Sequence, residues 1–200
     1  LDRFAKTSMT EFEESLDKLK ALKMKSLILD LRGNTGGYLN IAAELSNVFL
    51  KKGMTIVFTE GEKSQKQLFN TDKNGEFADG KLVVLVDEGS ASASEIVSGA
   101  VQDWDRGVLI GRRTFGKGLV QRPFNMQDGS VIRLTTARYY TPTGRCIQRS
   151  YEKGSEDYFE EMTKRMKHGE FYHADSIQFP DSLKYSTLLS KRTVYGGGGI

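Results

Sequence analysis

Three short runs in this 200-residue sequence combine small residues with groups able to move protons. The sharpest is Asp87-Glu88-Gly89-Ser90-Ala91-Ser92-Ala93-Ser94-Glu95, where tiny residues crowd the step from an apolar run into a helical pattern. A serine at such a corner is an exposed nucleophile. The N–H of the next residue faces the same spot, and the helix dipole favours negative charge there. The plainer reading is a helix cap, because Ser92 and Glu95 have capping-box spacing. The second run is Thr114-Phe115-Gly116-Lys117-Gly118-Leu119-Val120-Gln121. A lysine between two glycines lacks shielding neighbours and can reach into a site. Desolvation lowers a lysine's pKa, and a neutral amine can take a serine's proton. Taken alone, the run also reads as a turn with a solvated lysine. The third run is Asp30-Leu31-Arg32-Gly33-Asn34-Thr35-Gly36-Gly37. Its adjacent glycines leave backbone N–H groups to receive an oxyanion or a carboxylate, or simply form a tight turn. Asp30 and Arg32 can pair there, for structure or for catalysis.

Other chemistries fit less well. Gly111 to Lys117 matches the start of a phosphate-binding loop, G-x-x-x-x-G-K. Gly118, however, stands where a Ser or Thr ligates magnesium, and a strand-like run follows where that motif needs a helix. The only histidines, His168 and His173, lie in a charged stretch with no other catalytic texture, which argues against a Ser-His-Asp triad. No zinc-type spacing of His, Asp and Glu occurs, so neither metal nor cofactor is expected. The single cysteine, Cys146, excludes an internal disulfide and reads as a half-buried small side chain.

The elements that must position these runs follow from periodicity. Phe12, Leu16, Leu19 and Leu22 predict a helix from about Met9 to Lys23, behind a Thr10…Glu13 capping box. Ser26 to Leu31 predicts a strand, and Leu39, Ala42, Leu45 and Val48/Phe49 a helix. Thr55 to Thr59 is strand-like, 60–80 a loop or hairpin, and Lys81 to Asp87 an apolar strand. Ser90 to Trp104 reads as a helix and Val108 to Gly111 as a strand. This alternation predicts an α/β class with a largely parallel sheet covered by helices on both faces, and ligands beyond the carboxyl ends of its strands. Leu119 to Phe124 and Ser130 to Tyr140, with Gly129 between them, predict a β-hairpin, so the later part is β-rich. Glu156 to Lys167 reads helical, and Phe171 to Leu189 has no clean period.

The length bounds the chain to one compact unit with one sizeable core. A net charge of +3 gives no pull toward nucleic acid or anionic membrane. Apolar runs such as Leu82 to Val86 are strand-sized, too short to span a bilayer. The opening at Leu1 and the closing Gly196-Gly197-Gly198-Gly199-Ile200 predict a piece of a longer protein.

Together, D-L-R-G-N-T-G-G at Asp30 to Gly37, G-S-A-S-A-S-E-I at Gly89 to Ile96 and T-F-G-K-G-L-V-Q at Thr114 to Gln121 resemble the carboxyl-terminal processing peptidases, the tail-specific serine proteases. The resemblance runs in order and spacing from Leu1 to Ile147, and Val194 to Ile200 is family-like too. It implies a crotonase/ClpP-like core and a serine endopeptidase with a Ser–Lys dyad. Ser92 would be the nucleophile, Lys117 the general base and Gln121 the group that orients its amine. It further implies an oxyanion hole from Ala93 and one of Gly36 or Gly37, with Asp30, Arg32 and Glu95 in support. Substrates would be proteins or peptides cut near apolar C-terminal tails, in the periplasm or cell envelope. No nucleic acid is expected as a partner. Membrane association through regions outside these residues and a homo-oligomer are further expectations. Residues 1–150 would form the catalytic core, 151–193 a charged insertion or lid without assigned role, and 194–200 a truncated return to the core. The family's PDZ domain has no counterpart stretch here. The alternatives are a non-catalytic peptide-binding scaffold on the same fold, or a crotonase-like acyl enzyme, which needs no Lys117/Gln121 pair.

Overall fold

The computed structural model describes residues 1–200 apart from the side chain of Ala174. In chain order the elements are α1 (Ser8–Ala21), β1 (Ser26–Asp30), α2 (Leu39–Phe49), β2 (Thr55–Gly61), β3 (Ser64–Asn70), β4 (Lys81–Val86) and α3 (Ala93–Asp103). There follow β5 (Val108–Gly111), β6 (Leu119–Asn125), β7 (Val131–Tyr140), α4 (Gly154–Lys167), β8 (Lys184–Ser186) and β9 (Thr193–Tyr195).

The fold is α/β with a parallel sheet of order β1-β4-β5. Its register pairs Ile28 with Val83 and Val83 with Val108, so the apolar β4 lies in the centre. Leu29, Leu82, Val84 and Val86 point into the core, where they meet Leu45 and Phe49 of α2 and Val97, Ala100 and Val101 of α3. The helical spacing of those apolar positions is what forms both helices: one stripe of each is withdrawn from water. Helical cover on both faces is not what forms. On the other face Ile28, Val108 and Ile110 are each more than half exposed. Strands buried on two sides and on one side look alike in sequence when both faces are apolar.

A second sheet, antiparallel with order β3-β2-β7-β6, accounts for the β-rich part. The stretch 60–80 resolves into the β2–β3 hairpin and a turn-rich return, and Gly129 sits in the β6–β7 turn as expected. Beyond β7, α4 begins slightly earlier than its charge pattern predicts. Phe171 to Leu189 lacks a period because it consists of two single 3-10 turns, Ala174–Ser176 and Asp181–Leu183, and the short β8.

Two helix starts differ from the sequence reading. The Thr10…Glu13 box is not formed, since α1 begins at Ser8 and no side chain caps it at Thr7. Ser8 Oγ instead accepts the Ala5 N–H (2.9 Å) and donates to the Arg3 carbonyl (2.9 Å), which fixes the preceding turn. Helix α3 begins at Ala93 rather than Ser90. Asp87 Oδ1 accepts the N–H groups of Gly89 (2.9 Å) and Ser90 (3.1 Å), an Asx turn that competes with helix. Cys146 is half-buried and unbridged. Among the described residues no helix is long and apolar enough to cross a membrane, and no cluster of His, Cys, Asp and Glu has metal-site geometry.

Candidate active site

Because β1, β4 and β5 run parallel, the loops after their carboxyl ends emerge along one edge of the sheet. Those loops carry the three glycine- and serine-rich runs, and buried polar groups stitch them together. Between the first and second loops, Asp87 Oδ1 accepts the Gly33 N–H (2.8 Å) and Ser90 Oγ donates to the Leu31 carbonyl (2.7 Å). Ser94 Oγ donates to the Asn34 carbonyl at 2.8 Å, and that carbonyl also receives the Ala91 N–H at 3.0 Å.

Glu95 joins the second loop to the third. It is fully buried on the first turn of α3. Its Oε2 accepts the N–H of Ser92 (2.8 Å) and the N–H of Lys117 (2.9 Å). Its Oε1 accepts the Thr114 hydroxyl (2.6 Å) and the Gly116 N–H (2.7 Å). Burial raises this carboxyl's pKa, and the four donors offset only part of that rise. The backbones of Ser92 and Lys117 thus share one oxygen atom as acceptor.

Ser92 has φ 57° and ψ −112°, outside the regions an L-residue ordinarily occupies. This is a sharp strand-to-helix turn, and Ser92 and Glu95 form the capping box their spacing predicts. The half-buried Ser92 side chain reaches Tyr139 of β7. Burial, and then the Glu95 charge, push that phenol well above its ordinary value, while a hydrogen bond with the Ser92 side chain acts the other way. The Tyr139 hydroxyl donates to the Lys117 carbonyl, so one buried phenol touches both runs. Lys117 is half-buried, and the ion pairs of this region, Arg112–Glu88, Arg113–Glu170 and Arg149–Glu161, all leave its amine out. Gln121 is exposed on β6 across from Thr135, one step past a register shift, and among the described residues no hydrogen bond joins it to Lys117.

The two glycines divide their work. The Gly36 N–H is taken up by Asn34 Oδ1 at 2.8 Å. Asn34 is fully buried, and its side-chain oxygen needs a partner. A Cβ on Gly36 (φ +98°) would lie 2.8 Å from both Ala93 N and Ser92 Cβ, so this backbone lies directly against the serine. Neither the Gly37 nor the Ala93 N–H has an acceptor among the described residues. A Cβ on Gly37 would meet the Phe4 carbonyl at 2.1 Å, which excludes a side chain there too. Asp30 and Arg32 pair through Arg32 Nε (2.9 Å) and Nη2 (2.6 Å), on the exposed flank of the first loop. Their pairing holds the Asp30 carboxyl at about 2.

Sequence reasoning missed Asp87, Asn34, Thr114 and Tyr139. The first three lie within or beside the recognised runs and could have been found as polar residues that must be satisfied on burial. Tyr139 carries no local signal, because its role depends on β7 crossing the site.

The family model for peptidase family S41 matches residues 1–155. The chain is 46% identical over 132 residues to a carboxy-terminal-processing protease of Bartonella bacilliformis, covering 66% of this chain and 30% of that protein. It is 42% identical over 143 residues to a carboxyl-terminal-processing protease of Synechocystis, covering 71% and 33%. Among solved structures it resembles a photosystem II D1 C-terminal processing protease at a TM-score of 0.68 and 34% identity, covering 74% of this chain and 38% of that one. The chain therefore spans about a third of the length of the curated relatives it matches. A family match over most of the chain, in a fold whose parallel-sheet edge gathers the three runs, makes it a member of peptidase family S41.

Proposed function

We propose that this chain is the catalytic core of a serine endopeptidase that works through a Ser–Lys dyad. The observation that carries the reading is the shared Glu95 carboxylate oxygen, 2.8 Å from the Ser92 nitrogen and 2.9 Å from the Lys117 nitrogen. That link holds the backbones of the two loops side by side, which supports pairing a hydroxyl from one loop with an amine from the other. In the reaction, the Lys117 amine accepts the Ser92 proton and the alkoxide attacks the scissile carbonyl. The N–H groups of Ala93 and Gly37 receive the oxyanion, aided by the amino end of α3. The protonated amine returns its proton to the leaving nitrogen, and water, deprotonated in turn by Lys117, releases the acyl group.

Gln121 is assigned the orientation of the Lys117 amine once substrate is bound, and Asp30 and Arg32 the bracing of the first loop. The relatives' names support proteins as substrates and cleavage near the carboxyl terminus. Preference for apolar tails and an extracytoplasmic location belong to the same reading. The test is turnover of a protein with an apolar tail by the longer protein and its Ser92→Ala and Lys117→Ala variants. Both variants should fold and fall to background. Substantial cleavage by either removes the dyad, and a wild type that binds but never cuts leaves a peptide-binding scaffold.

A further inference from the structure

The segment after residue 150 lies almost wholly beyond the family match, which ends at 155, yet it is wired to the loop that carries Lys117. Arg165 of α4 is 3% exposed. Its Nη1 donates to the Thr114 carbonyl at 3.0 Å and its Nη2 to the Arg113 carbonyl at 2.6 Å. Its Nε donates to Glu170 Oε1 at 2.7 Å. Glu170 in turn accepts both Arg113 Nε (2.8 Å) and Arg113 Nη2 (2.9 Å). Close by, the Arg149 guanidinium lies between the rings of Phe115 (4.1 Å) and Tyr158 (4.2 Å), with Glu161 at 3.3 Å. The Arg149 N–H donates to the Gly116 carbonyl at 3.0 Å.

Residues 113–117 are therefore gripped from two sides. Glu95 takes the Thr114 hydroxyl and the N–H groups of Gly116 and Lys117. Arg165 takes the two carbonyls that precede them. A planar guanidinium with two donors on successive carbonyls fixes the orientation of a peptide, which a lysine's single ammonium does not. The grip matters here because Gly116 (φ +85°), next to Lys117, has no side chain to fix the path of the loop, which depends on its hydrogen bonds. We propose that Arg165 is a positioning residue for Lys117, and that the segment from Tyr151 to His173 serves as a clamp on the loop carrying the general base. This rests on the dyad reading above.

The test uses the full-length protein with Arg165→Ala and Arg165→Lys, a C-terminal-tail peptide substrate, thermal melting, and Ser92→Ala as the control. Both Arg165 variants should lower kcat, Arg165→Ala by on the order of tenfold or more, with KM within about twofold. Added guanidinium at non-denaturing concentration should restore part of the Arg165→Ala rate and none of the Ser92→Ala rate. Arg165→Lys keeps a charge beside Glu170, so it reports on positioning even where Arg165→Ala fails to fold. A folded Arg165→Lys protein with wild-type kcat and KM overturns the proposal. So does a loss that merely follows the unfolded fraction in both variants, without guanidinium rescue. Residual activity in Ser92→Ala would instead strike at the dyad and leave the Arg165 contacts to be explained otherwise.

Discussion

Glu95 has no water to fall back on, and every group that faces its two oxygens is a donor. Replacing one oxygen by an NH2 sets donor against donor, whichever way the amide turns. Glu95→Gln, nearly isosteric, should therefore destabilise by about 2 kcal/mol or more, the cost of a buried donor left unmet. It should also separate Ser92 from Lys117, so activity should fall further than the melting temperature alone implies; a Glu95→Gln protein with wild-type melting and turnover contradicts this. Asp30 behaves oppositely, because its pairing with Arg32 is exposed. The folded carboxyl is held at about 2 against an ordinary 3.8, so the pair's contribution is present above the ordinary value and is lost as pH falls toward 2. Solvent screening makes that contribution small. Arg32→Ala should shift the urea midpoint only slightly at neutral pH, with the difference vanishing near pH 2. A large neutral-pH loss would mean the pair does more than brace a turn.

Among elements, the decisive fact is that β4 lies between β1 and β5, so the loop bearing Ser92 has the other two loops on either side. Gly36 marks how closely the first loop approaches. A methyl there would stand 2.6 Å from the Ala91 carbonyl, on a residue whose φ of +98° already excludes most side chains. Gly36→Ala should push the first loop off Ser92 and cut the rate of serine labelling by on the order of a hundredfold, the scale set by a displacement of about 1 Å. Labelling at the wild-type rate would show that the approach is not needed. Much of this was legible in the sequence. The helical stripes of α2 and α3 and the apolar runs of β1 and β4 are dictated by burial, and the small residues at the corners mark where backbones crowd. The capping box at Thr10 misled because a serine two residues earlier offers its hydroxyl to a different turn. Strand order was not legible, since Val108–Gly111 pairs with β4 through contacts distant in sequence.

Over the whole molecule, the two sheets divide the labour. The parallel sheet supplies the three loops, and the antiparallel sheet brings Tyr139 of β7 across to touch the Ser92 side chain and the Lys117 carbonyl. The late segment adds a third support through Arg165, which no periodicity could announce because its partners are backbone carbonyls fifty residues away. Arg145 and Asp103, both buried, tie the end of α3 to the chain returning from β7, so the helix that follows Ser92 is anchored at its far end as well. The proposed dyad is the claim on which the functional reading of this arrangement rests. The most direct measurement is modification of the longer protein by a fluorophosphonate, mapped by mass spectrometry, in the wild type and in Lys117→Ala. The expected result is a single adduct on Ser92 that is lost in the variant while the fold persists. An adduct on Ser92 that forms at the same rate without Lys117, or a wild type that never labels there, would contradict it.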